Sequence, residues 1–374
     1  MKGFVFDRLV DRENLCDLLR EQRLLREQVN SRLNSVVYAP RSHGKTSVVR
    51  NIVMEDFRKA HRRSFVYFAD LLGVRNRESL TDRLTAALER SFEASFPVKT
   101  LLEGALKLAA SMRPELSVDP ATGSPKLSLR SGPRSGRASG SPVWESLTRI
   151  CRATPSLVVL DEFQDIARVD EGPSLMRSAL EGLGETPVIV MGSKQHMLAD
   201  IFARPQAALA GWGSDIEFHP IPYEAYHVYI EERFRLQGLR IAPAVSQLAQ
   251  DLVHRVPEAV NRLCHQVMEL YQDLRVTETE LRSALESLLI GRQSRYEVYL
   301  TSFSATDERV LCEIARAGSV ARPHAKDFLA ATGFSNRTAG VSIRRLLDRG
   351  VVEASDRGYR LSDPLLEIYL TRYR

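Results

Sequence analysis

The run Ala39, Pro40, Arg41, Ser42, His43, Gly44, Lys45, Thr46, Ser47 combines residue types and a spacing that can do chemistry. Its ending, Gly-Lys-Thr, closes the pattern G-x-x-x-x-G-K-[ST], in which successive backbone N–H groups wrap an anion. A helix starting at that point adds the positive end of its dipole. The Lys45 ammonium can then reach the β- and γ-phosphates of a nucleoside triphosphate, and the Thr46 hydroxyl can ligate Mg²⁺. The nine residues are therefore the candidate nucleotide-binding set. One position departs from the pattern: Ala39 stands where the first glycine belongs, which alanine tolerates if it keeps φ below zero.

A second constellation lies at Leu157–Ile166, Leu-Val-Val-Leu-Asp-Glu-Phe-Gln-Asp-Ile. Four apolar residues in a row suit a central parallel strand buried on both faces. The strand ends on Asp161 and Glu162. An aspartate there can hold Mg²⁺ through water, and the adjacent glutamate can polarise the attacking water. A third apolar run, Pro187 to Met191, ends on Gly192 and Ser193. It resembles the sensor-1 strand of AAA+-type ATPases, which puts a small polar residue near the γ-phosphate, and Ser193 is the candidate. The catalytic set is thus Lys45, Asp161, Glu162 and Ser193, with Thr46 and Asp161 for the metal.

These groups need a sheet to place them. Val36-Val37-Tyr38 reads as the strand feeding the loop, and 47–60 as the helix leaving it. Ser64 to Ala69 reads as a further strand ending at Asp70, and 79–96 as an amphipathic helix. Near the start, Leu15, Leu18, Leu19 and Leu24 form a stripe at helical spacing. The stretch 112–142 is rich in Gly, Pro and Ser. It reads either as a loop or as an inserted hairpin with arms at 116–118 and 126–129, and Arg130, Arg134 and Arg137 make it basic.

Past Ile221 the strand signals stop. Residues 223–237, 243–255, 257–274 and 277–290 read as helices, the last begun by a capping box of Thr277 and Glu280. From 304 the pattern is a winged helix. Helices at 306–317, 325–332 and 336–349 precede strands at 351–354 and 359–361 around Asp356-Arg357-Gly358, a hairpin turn signal. Asp363-Pro364 then opens a closing helix. In DNA-binding versions of this fold the third helix enters the major groove and the wing touches backbone. Arg337, Thr338, Arg344, Arg345 and Arg357 would be the contacts, although Asp348, Glu353 and Asp356 dilute that basic surface.

Composition sets the outer bounds. The chain has 374 residues, 44% hydrophobic and 26% charged, with a formal net charge of +5. This is enough for two or three ordinary globular domains. The pI of about 9.0 permits an anionic partner without demonstrating one. No run approaches the roughly 18 apolar residues of a membrane span. The opening residues are too charged for a signal peptide. Cys16, Cys151, Cys264 and Cys312 make no metal spacing and read as reduced thiols of a cytoplasmic protein.

Taken in order, these parts resemble the archaeal-type ATPase family, AAA+-like proteins related to the STAND group and to origin-recognition-type initiators. The resemblance rests on Phe-Asp-Arg-Leu-Val-Asp-Arg-Glu-Asn from Phe6, on 39–47, on 157–166, on Val188 to Ser193, on Val256 to Cys264, and on Tyr359 to Leu370. It implies an α/β P-loop core with a parallel sheet at 1–221, a helical lid at 222–300 and a winged helix at 301–374. It implies ATP and Mg²⁺ as cofactors and hydrolysis by a Walker-type mechanism, with Val10 and Arg12 beside the adenine. Two further departures stand out. Arg255 replaces the glycine of the lid's Gly-x-Pro, and Gly211-Trp212 replaces a Gly-Arg pair. Arg204 and Arg262 are the candidates for trans-acting and lid roles.

Three readings follow. The first is an ATP-driven switch or motor acting on duplex DNA, the lid relaying nucleotide state to the winged helix. The second is a STAND-type signalling or scaffold ATPase with slow turnover, whose winged helix meets only protein. The third, a DNA-binding regulator with a structural nucleotide, fits poorly with an intact Lys45, Asp161 and Glu162. Protein partners or self-assembly are compatible with the first two, and no reading involves a membrane.

Overall fold

The computed structural model describes residues 3–95, 112–118, 125–131, 142–355 and 357–374. Arg134, Arg137 and Asp356 lie outside them. The chain divides into two compact units, one of Leu19–Ala39 with Lys45–Phe218, the other of Met1–Leu18, Pro40–Gly44 and His219–Arg374.

The first unit is built on five strands: β1 (Ser35–Tyr38), β2 (Phe65–Asp70), β5 (Ser156–Asp161), β6 (Val188–Gly192) and β7 (Ser214–Glu217), with β3 and β4 forming a separate pair. The five pair in the order β2-β5-β6-β1-β7, all parallel. Every residue of β5 and β6 is buried, as a sheet covered on both faces requires. Leu80, Leu84, Leu88 and Phe92 of the Arg77–Ser95 helix and Val143, Leu147 and Ile150 of the Pro142–Ala153 helix recur every three or four residues and join the core with Phe65 and Tyr67. Within the Gly/Pro/Ser-rich stretch, β3 (Met112–Val118) runs antiparallel to β4 (Pro125–Ser131), with Leu116 opposite Leu127 and Arg113 opposite Arg130.

The structure adds one strand that the sequence did not announce and corrects three expectations. β7, Ser-Asp-Ile-Glu, has no apolar run and buries only Ile216. It forms because its backbone pairs with β1, and an exposed, charged edge strand is how sheets avoid sticking to one another. The helix after the loop is not uniform: Lys45–Val48 and Met54–Ala60 flank a π-turn at Val49–Val53, where the Met54 N–H donates to Val49 O. β-branched Val48, Val49, Ile52 and Val53 crowd a regular helix, which favours the wider turn. The leucine stripe near the start does not form either. Asp17 and Leu18 take left-handed backbone, the helix begins at Leu19, and it buries Leu25 and Val29 while Leu19 is exposed. Finally, strands continue past Ile221: β8 (Arg240–Ile241) pairs parallel with β9 (Arg275–Val276), too short to leave a periodic signal.

The second unit carries helices at Tyr223–Arg235, Pro243–Asp251, Pro257–Leu270 and Glu278–Leu300. The capping box of Thr277 and Glu280 starts the last, which continues ten residues beyond the expected Ile290. The N-terminal arm belongs to this unit. Phe4 meets Tyr229 and Phe234 edge-on, and Asn261 donates to Val5 O at 2.7 Å. Buried Arg233 donates to Gly3 O and Asn14 Oδ1 and stacks 3.4 Å over the Tyr229 ring. The winged helix follows with helices Ala305–Ala317, Lys326–Thr332 and Asn336–Asp348, antiparallel β10 (Val352–Ser355) and β11 (Gly358–Leu361), and a closing helix Pro364–Tyr373 capped by Asp363.

Candidate functional site

β5, β6 and β1 are neighbours in the sheet, so their carboxyl ends bring together groups far apart in sequence. β5 ends on Asp161, β6 on Gly192 followed by Ser193, and β1 leads to buried Ala39. Ala39 has no positive φ, so alanine is accommodated at the glycine position. Across this edge the Thr46 hydroxyl donates to Asp161 Oδ2 at 3.0 Å, and Lys45 Nζ lies 3.3 Å from Glu162 Oε1 and 4.0 Å from Asp161 Oδ1. Lys45, Ser47 and Asp161 are all buried. Glu162 takes left-handed backbone at φ 50°, and its Oε2 accepts from Gln164 Nε2 at 2.6 Å and from Ser193 Oγ at 2.9 Å.

The two carboxylates titrate in opposite directions. Burial raises the Asp161 carboxyl above its ordinary value, and Lys45 only partly offsets this. Burial also opposes the charge on Glu162, but Lys45 and the hydrogen bonds from Gln164 and Ser193 outweigh it and hold the group below its ordinary value. A half-buried hydroxyl beside a buried carboxylate is a hard oxygen donor set, and the disfavoured negative charge suits a divalent cation. Thr46 and Asp161 therefore fit Mg²⁺. Among the described residues no cluster of three or more His, Cys, Asp or Glu side chains offers another metal site.

The loop residues 40–44 group with the second unit and are described there. Gly44 has φ 83°, a left-handed conformation that favours glycine, and a Cβ on it would stand 3.3 Å from Leu18 Cδ1, a tight contact that the leucine side chain would have to relieve. Ser42 is also left-handed, at φ 63°. His43 is buried and its Nδ1–H donates to Arg41 O at 2.9 Å. Ser42 Oγ donates to Glu258 Oε2 at 2.6 Å, and Arg262 donates to Glu258 Oε1 at 2.9 Å while stacking over Phe6.

Residues 294–372 match the family described as "Probable winged helix domain". No curated protein matches the sequence. Among solved structures, the chain is similar to the Walker-type ATPase of Pyrococcus abyssi, with 18% identity, 98% of this chain and 99% of that one covered, and a TM-score of 0.64. It is similar also to the ORC2 protein of Aeropyrum pernix in its ADPNP-ADP complexes, at 14% identity over 99% and 94% of the two chains and a TM-score of 0.54. The fold is that of an AAA+-like P-loop ATPase with a C-terminal winged helix. This is the architecture that the resemblance to the archaeal-type ATPase family implies.

Within this P-loop ATPase fold the departures from the motifs have physical counterparts. Arg255, at the glycine position of the lid motif, is left-handed at φ 58°, as is His254 before it. Its guanidinium donates to Ile221 O and stacks 4.0 Å over Tyr223. Trp212 is half-buried, packing on the Phe202 ring against the core. Arg204 is exposed and pairs with Asp200 at 2.6 Å. In the N-terminal arm Val10 is half-buried and Arg12 exposed.

On the winged helix, Arg337, Thr338, Arg344 and Arg357 are exposed. Arg345 differs: it donates to Asp307 Oδ1 at 2.9 Å, and Ser342 donates to the same oxygen at 2.6 Å. Two residues of the sites escaped the sequence reading. Gln164 had only its place two residues after Glu162 to mark it, and Glu258 only its place in the lid motif.

Proposed function

We propose that the protein binds MgATP and hydrolyses it. The supporting observation is the convergence of Lys45, Thr46, Asp161 and Glu162 at one sheet edge, with the Lys45 ammonium within 4.0 Å of both carboxylates and the Thr46 hydroxyl 3.0 Å from Asp161. Lys45 and the N–H groups of Ala39 to Ser47 bind the phosphates, and Val10 and Arg12 flank the base. Thr46 and Asp161 would hold Mg²⁺, which supplies charge neutralisation at the phosphates. Glu162, held ionised, orients the lytic water and accepts its proton. Ser193 reports on the γ-phosphate through the glutamate to which it donates.

The divisions 1–221, 222–300 and 301–374 then separate nucleotide chemistry, lid and winged helix. A relay between them is supported inside the second unit. Ser42 meets lid residue Glu258, and His254, beside the lid motif, meets Glu367 of the closing helix at 2.8 Å. The winged helix is the element through which duplex DNA would be engaged, by Arg337, Thr338, Arg344 and Arg357. Free cysteines Cys16, Cys151, Cys264 and Cys312, all with thiols raised by burial, suit a reducing, cytoplasmic setting. Among the described residues no helix is long and apolar enough to cross a membrane.

The deciding experiment is ATP turnover of wild type and Glu162→Gln with and without duplex DNA. DNA-stimulated turnover that disappears in Glu162→Gln supports a DNA-coupled ATPase. Tight ATP binding with negligible turnover in both supports the STAND-type reading, which Arg345 favours, since its charge is committed inside the domain. Gel filtration in ADP and in an ATP analogue tests self-assembly. Unchanged ATP affinity in Lys45→Ala would overturn the site assignment.

A further inference from the structure

We infer that Gln164 is the positioning residue for Glu162, fixing which of its two carboxylate oxygens serves as the base. This rests on the reading of Glu162 as the group that accepts the water's proton. Gln164 is fully buried in the turn Phe163–Arg168 that follows the left-handed Glu162. Its Nε2 donates to Glu162 Oε2 at 2.6 Å. A carboxylate can only accept, so the amide must present its NH₂ to that oxygen and its orientation is set by chemistry. Its own Oε1 has no protein partner. A buried amide that satisfies a neighbour and leaves itself half-satisfied is poorly suited to stabilising the fold, and well suited to holding that neighbour.

The division of contacts on Glu162 carries the inference. Oε2 takes two donors, Gln164 Nε2 and Ser193 Oγ, both neutral and both from the strand-end framework. Oε1 takes only Lys45 Nζ at 3.3 Å, the group that the phosphates claim when nucleotide binds. Once Lys45 turns to them, Oε1 is free to take the proton of the lytic water, while Oε2 stays held.

The backbone of β6 keeps the amide in place. A Cβ on Gly192 would stand 2.0 Å from Gln164 Oε1, and also 3.0 Å from Leu198 Cδ1. Gly192 is therefore the space the amide needs.

The test compares wild type, Gln164→Leu, Gln164→Glu and Glu162→Gln. Removing the donor should lower kcat by about ten- to a hundredfold, as loss of a hydrogen bond to a charged group does, with ATP affinity within about twofold. The acid limb of the pH–rate profile should move to higher pH, because the ionised carboxylate has lost a donor. It should move furthest in Gln164→Glu, where a second carboxyl sits beside the first. The ¹³C carboxyl titration of Glu162 in nucleotide-free protein should rise in parallel. Thermal melting of Gln164→Leu should hold or rise, which a merely structural role would not produce. Gly192→Ala should lower kcat in wild type and by clearly less in Gln164→Ala, where only the Leu198 contact remains, a non-additive cycle. An unchanged kcat, acid limb and carboxyl titration in both Gln164 variants would overturn the inference while leaving the base assignment standing. Wild-type turnover in Glu162→Gln would overturn the base assignment, and the inference with it.

Discussion

The strand-end cluster of the α/β unit and the third helix of the winged helix carry similar numbers of charged groups in opposite conditions. At the sheet edge Lys45, Asp161 and Gln164 are buried, and each of the three side chains hydrogen-bonds or pairs with another. On Asn336–Asp348, Arg337 and Arg344 point to solvent, and Arg345, half exposed, is tied to Asp307 of its own domain. Burying ionisable groups is unfavourable unless they pair, so a buried constellation with one carboxylate pushed up and its neighbour pulled down is a candidate functional site. Exposed arginines are favourable anywhere on a surface, and their number alone says little about what they touch.

Four measurements break or sharpen that contrast. The largest effect belongs to the buried cluster: Glu162→Gln should reduce kcat by roughly 10² to 10⁴, the range for loss of a general base, with ATP affinity retained. Equal turnover in the two proteins would remove the cluster's claim to chemistry. Next comes Arg345→Ala, which removes one of the two side-chain donors on Asp307 Oδ1, leaving Ser342. It should destabilise the protein by about 1–3 kcal/mol in denaturant titration and leave the salt slope of any DNA binding unchanged. Arg344→Ala should do the reverse, leaving stability within about 0.5 kcal/mol and reducing the slope of log affinity against log salt by about one phosphate contact. If the two variants exchange behaviour, the assignment of exposed and committed arginines is inverted.

The smallest effect concerns Asp161, whose native carboxyl is raised by burial. The protonated form is the favoured one in the fold. Its contribution to stability is therefore full below the ordinary carboxylate range and lost as pH rises through the raised native value. Asp161→Asn should remove that pH dependence and raise the melting temperature of nucleotide-free protein at neutral pH by an amount equivalent to about 1 kcal/mol. A lower melting temperature would mean that the pairing with Lys45 and Thr46 outweighs the burial.

How far the sequence could be read depended on the range of the interactions. The phosphate loop, the strand ending on Asp161 and Glu162, the capping box at Thr277 and the closing helix at Asp363 are all written in fewer than about ten consecutive residues. The forces behind them are local: backbone conformation, capping and the burial of a short apolar run. So Lys45, Thr46, Asp161 and Glu162 were recognisable from spacing alone. β7 was not, because Ser-Asp-Ile-Glu is a strand only by virtue of the β1 edge beside it. The early leucine stripe misled because Asp17 and Leu18 turn the chain just before the helix.

The same distinction holds for individual side chains. The sequence alone singled out the candidates for the proposed chemistry, since a phosphate loop and its paired acids need fixed types at fixed short spacings. Only the tertiary structure decided what each of them faces. Ser193 reaches Glu162 from 31 residues away and Arg345 reaches Asp307 across 38. Strand order and helix packing set those pairings; burial then raised one carboxylate, while Lys45 and hydrogen bonds lowered the other against its burial.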